Sequence, residues 1–139
     1  MKSLQELLTL RPSVNDTTRR DQVHDLTNLA AGTIDAGEFF AENFVTEGMR
    51  QLLREGFRRL SGQSEQGVYV LSQAMGGGKT HNMIALGLLA QHPELRESIM
   101  AGDYTAGGKL GKVRVVSFTG RENDAPLGIW GAIAQQLGK

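Results

Sequence analysis

The sequence predicts an α/β chain in which N-terminal helices lead into the start of a parallel sheet. Three observations predict it. Apolar residues before position 62 recur at helical spacing. Two short β-branched segments follow, at 67–72 and 113–118. An apolar helical stretch lies between them and another follows the second, giving the strand, helix, strand, helix order of a parallel sheet. The expected organisation is a helical segment over 1–62 and a core over 63–139. Two strands cannot complete such a sheet, so the expected whole is a longer protein of which this is the N-terminal piece.

Each element has its own sequence signal. Ser3 and Glu6 make a capping box, Leu4, Leu7 and Leu8 follow at helical spacing, and Pro12 closes this helix. Val23, Leu26, Leu29 and Ala30 predict a second helix, stopped at Gly32. Asp35 caps a third, whose Phe39 and Phe40 are read as core. Thr46 caps the clearest amphipathic helix. Its Met49, Leu52, Leu53, Phe57 and Leu60 share one face, and Gly62 ends it. Arg50, Arg54 and Arg58 share another face with Glu47 and Glu55, a solvated stripe rather than a contact for nucleic-acid phosphates.

After the first strand, Met83, Ile84, Leu86, Leu88 and Leu89 predict a helix apolar nearly all round, as a buried helix must be. Pro93 starts another, carrying Leu95 and Ile99. Residues 102–111 form a glycine-rich loop and 120–126 a polar turn. Leu127, Trp130, Ile133, Ala134 and Leu137 predict the last helix.

Composition narrows the function classes. Fifteen basic residues balance fifteen acidic ones, so there is no global charge bias toward nucleic acid. With no cysteine, thiolate metal sites and cysteine nucleophiles are excluded. The N-terminus lacks the apolar stretch of a signal peptide, and no segment is apolar over the roughly 18 residues of a membrane span. A cytoplasmic location is expected.

The chemistry concentrates at Met75, Gly76, Gly77, Gly78, Lys79, Thr80 and His81, between the first strand and the buried helix. A phosphate-cradling P-loop reads G-x-x-x-x-G-K-[ST], and Gln73 stands where its first glycine would be. The other end of the motif is intact. Glycines let backbone N–H groups curl round phosphates, and a helix N-terminus attracts anions. Lys79, the candidate catalytic residue, supplies a mobile charge for the β- and γ-phosphates. The Thr80 hydroxyl suits Mg2+, which prefers oxygen ligands. His81 is open to two readings: a phosphate or partner contact, or packing beside the loop. Gly107, Gly108 and Lys109 are followed by Leu110 and then a strand, so they are read as a plain loop.

The stretches 35–40, 44–49, 76–81 and 127–138 resemble the N-terminal part of a family of large prokaryotic predicted ATPases. That family is catalogued as a domain of unknown function and grouped with the AAA+ superfamily. The resemblance implies a P-loop nucleoside-triphosphatase fold, of which only the start would lie here, with ATP and Mg2+ as ligands. It also implies a genomic setting of phage defence or restriction, with DNA methylases and helicases as partners. The acidic Walker B strand, the sensor and the arginine finger would lie beyond Lys139. The leading expectation is therefore an ATP-binding piece of an ATPase in a DNA-directed complex. The alternatives are a small-molecule kinase, with Arg121 the one candidate for its lid, and a non-catalytic nucleotide-binding scaffold. Direct nucleic-acid contact and oligomeric state are left open.

Overall fold

The computed structural model describes residues 8–9, 23–72, 74–103, 110–120 and 127–138. The predicted helix at 3–12 lies outside them, apart from Leu8 and Thr9, as does Arg121. Six α-helices are described: α1 (Leu26–Ala31), α2 (Ala36–Glu42), α3 (Glu47–Leu60), α4 (Lys79–Gln91), α5 (Pro93–Met100) and α6 (Gly128–Gln136). A 3-10 turn, Ala101–Asp103, continues α5. None of these helices is long and apolar enough to cross a membrane.

Local chemistry sets the helix ends. Asp25 and Asn28 exchange hydrogen bonds in a capping box at the start of α1, and Gly32 ends it in the left-handed region at φ 67°. The Asp35 carboxylate accepts from the Glu38 N–H at 2.7 Å to open α2. The Thr46 hydroxyl accepts from the Met49 N–H at 3.3 Å to open α3. Pro93 sits in the first turn of α5, where its missing N–H costs nothing.

Helix α4 is the hub, packed against α1, α2, α3 and α5. It buries Ile84, Ala85, Leu88, Leu89 and Ala90. Around them lie Leu29 of α1, Phe39 and Phe40 of α2, Met49, Leu53 and Phe57 of α3, and Met100 of α5. The core thus draws on residues from both sides of position 62. At Gly87 a Cβ would stand 2.6 Å from Leu29 Cδ2, so any side chain there must displace the Leu29 methyls that pack over the glycine.

One buried charge ties the far end of the hub together. Arg96 of α5 is fully buried. Its guanidinium donates to the carbonyls of Leu89 (2.7 Å) and Ala90 (2.8 Å), in the last turn of α4. It also donates to the carbonyls of Leu110 and, at 3.0 Å, Gly111. The Phe57 ring lies 5.0 Å below it. Carbonyls at a helix C-terminus carry partial negative charge, and a planar five-donor fork reaches several of them at once.

The expected sheet is absent. Among the described residues no strand pairs with another, so 63–139 does not form the start of a parallel-sheet P-loop domain. The reason lies in where the backbone groups go. Residues 67–72 run extended with Val68 and Val70 exposed, held to α3 by the Tyr69 hydroxyl, 2.9 Å from the Glu55 carbonyl. In 113–118 the Val113 N–H donates to the Ala90 carbonyl at 2.9 Å. The Gln136 amide of α6 meets both backbone groups of Ser117, at 3.1 and 2.8 Å. A helix end and a side-chain amide thus replace the ladder. In 113–118 the β-branched composition matched a half-buried surface without a pairing strand.

Two substitutions test this packing by urea denaturation. Arg96→Ala removes a charged donor from four carbonyls and should lower the unfolding free energy by about 3 kcal/mol, with Arg96→Lys recovering only part. Gly87→Val should cost about 1–3 kcal/mol by overpacking against Leu29.

Candidate functional site

The glycine loop is a tight turn set on the N-terminus of α4. The Gly77 N–H donates to the Ala74 carbonyl at 3.1 Å. Gly76 and Gly78 take φ values of 79° and 74°, left-handed geometry that glycine adopts at little cost. Gly78 is the N-cap of α4, and no side chain caps it. The helix's first internal bond runs from the Asn82 N–H to the Gly78 carbonyl, at 2.9 Å. The backbone amides of Thr80 and His81 precede that bond, where a helix has no internal acceptors to offer.

The side chains divide between loop and core. The Lys79 ammonium curls back over the turn and donates to the Ala74 carbonyl at 3.0 Å. Thr80, in the first turn of α4, is exposed. Met75, at the tip, is 99% exposed. Gln73 lies outside the described residues. The structure thus gathers Gly76, Gly77, Gly78, Lys79 and Thr80 at one helix end.

The His81 ring turns inward instead. It stacks on Phe39 with centroids 4.6 Å apart and planes 30° apart. The His24 ring approaches Phe39 as well, at 6.2 Å. Burial lowers the His81 pKa, and the nearby His24 lowers it further. Sequence reasoning read Phe39 only as core; nothing in its spacing announces a contact 42 positions along the chain with the residue after Thr80.

Other candidates resolve more simply. Each arginine of the α3 stripe faces a carboxylate: Arg50 and Arg54 face Asp103 at 3.3 and 3.9 Å, and Arg58 faces Glu55 at 3.3 Å. His92 pairs with Glu94 at 2.9 Å between α4 and α5. The Glu94 carboxyl is held below its ordinary pKa, first by its own backbone N–H and then by His92. Among the described residues no group of three His, Cys, Asp or Glu side chains could hold a metal ion.

A family model described as the DUF499 N-terminal domain matches residues 3–114. The chain belongs to the DUF499 family. The match takes in α1 to α5 and the whole glycine loop. No curated protein and no solved structure matches the chain.

In this DUF499 chain the half-buried imidazole of His81 has a pH consequence. Its folded pKa is depressed, so the unfolded state binds the proton more readily. His81 therefore contributes its full stability above about pH 6.5, the ordinary histidine value, and loses it as pH falls toward the lowered folded pKa. The melting temperature should fall between pH 7.5 and 5.5, and more gently in His81→Phe. Thermal melts at half-unit intervals would measure both slopes.

Proposed function

We propose that the turn at 74–78 and the first turn of α4 bind the triphosphate of ATP together with Mg2+. The observation that carries this reading is the combination at one helix end. Two left-handed glycines shape the turn, the N-cap has no side chain over it, and the Lys79 ammonium folds back across it. Glycine at 76 and 78 keeps Cβ atoms out of the cradle. The amides of Thr80 and His81 and the helix dipole favour an anion there.

Lys79 releases the Ala74 carbonyl and pairs with phosphate oxygens, exchanging a neutral acceptor for a charged one. The Thr80 hydroxyl is the protein's donor to Mg2+, which when bound shields the phosphate charge. The preference for ATP, the grouping with AAA+ ATPases and a cytoplasmic role beside DNA methylases or helicases in defence are parts of this proposal supported by the family resemblance. Turnover of the nucleotide also needs a carboxylate that orients water. Isolated nucleotide binding is thus the activity proposed for these residues.

Titration with a fluorescent ATP analogue and Mg2+ tests the reading. Lys79→Ala should weaken binding about 100-fold, as expected for loss of a charge-assisted phosphate contact. Unchanged affinity in that variant would remove the loop from consideration.

A further inference from the structure

The ring cluster at Phe39 joins the loop to the N-terminal helices. Phe39 is 2% exposed and stands at the centre of three ring contacts. Phe40 meets it edge-on at 5.1 Å, His81 stacks on it at 4.6 Å, and His24 tilts toward it at 6.2 Å. These rings belong to α2, to the first turn of α4, and to the segment leading into α1. His81 follows Thr80 directly, so its backbone amide lies on the anion side of α4 and its ring on the core side.

We propose that the His81–Phe39 stack couples occupancy of the glycine loop to the order of α2, with Phe39 a positioning residue for the triphosphate site. This rests on the nucleotide-binding reading above. The physical argument is geometric. A phosphate held by the first-turn amides fixes the backbone of 79–81. The imidazole hangs from that backbone by a single Cβ and is held against Phe39 at 4.6 Å, so the first turn and the stack together set its orientation. α2 is only seven residues long, and helices that short depend on tertiary contacts for their order. Stiffening one face of the stack therefore stiffens the helix that supplies the other. Coupling runs both ways: an ordered α2 holds the first turn of α4 ready for the anion.

Hydrogen exchange on the 139-residue chain, with and without saturating ATP and Mg2+, tests the coupling. Amides of α2 (Ala36–Glu42) should gain protection when nucleotide is added. His81→Ala should lose that gain and bind ATP about three- to tenfold more weakly, the range for a lost ring stack. His81→Phe, which keeps a ring at the position, should regain the α2 response at saturating nucleotide. Phe39→Leu keeps the apolar volume without the ring and should behave as His81→Ala does, which covers the case of a poorly folded His81→Ala. Undiminished α2 protection in the folded His81→Ala or Phe39→Leu variant would overturn the coupling while leaving nucleotide binding intact. A failure of His81→Phe to restore it would do the same. No ATP binding by the unaltered chain would overturn both readings together.

Discussion

The fold depends on how one buried helix is terminated at both ends. Helix α4 is apolar nearly all round, so α1, α2, α3 and α5 can all pack on it. Burying such a helix also buries its C-terminal carbonyls, and those must find donors. Arg96 provides several of them, beside the N–H groups of His92 and Val113. One guanidinium satisfies the Leu89 and Ala90 carbonyls and reaches the Leu110 and Gly111 carbonyls as well. The charge is met by oriented carbonyl dipoles and the Phe57 face, with the Glu94 carboxylate close enough to feel it. This single side chain thus touches α3, α4, α5 and the segment after them, adding to the apolar packing that holds the helices to the hub.

The opposite end of α4 is treated in the opposite way. No side chain caps it, and two left-handed glycines lead into it. The helix thus buries its negative pole against a cation and presents its positive pole at an exposed turn. Lys79 crossing that turn to the Ala74 carbonyl adds a mobile charge where an anion would lie. Phe39 and His81 then connect this end to α2, so the hub links both poles to the surrounding helices.

The extended segments show how strongly backbone satisfaction governs architecture. Residues 113–118 lie along the hub and with it line an open apolar groove of about 490 Å³, bordered by Leu26, Leu29, Met83 and Leu86. The Ser117 hydroxyl donates to the Leu26 carbonyl at 2.7 Å, and the Gln136 amide holds the Ser117 backbone. The segment is extended and half-buried, as a strand would be. It is held by side chains and a helix end because those are the partners that lie within reach.

The sequence by itself determined the helices described after residue 25 and the glycine loop between them. Asp35 and Thr46 mark the starts of α2 and α3, Gly32 the stop of α1, and Pro93 the start of α5, because capping is chemistry between residues a few positions apart. The placement of three glycines and Lys79 at the mouth of a buried helix was legible for the same reason. Tertiary structure decided the rest. Whether a β-branched segment becomes a strand depends on a neighbour, and spacing within the segment carries no information about that neighbour. The seat of Arg96 on α4 and the stack of His81 on Phe39 are contacts between separate elements. Local patterns record which residues tend to be buried; only the packed chain decides what each buried group meets.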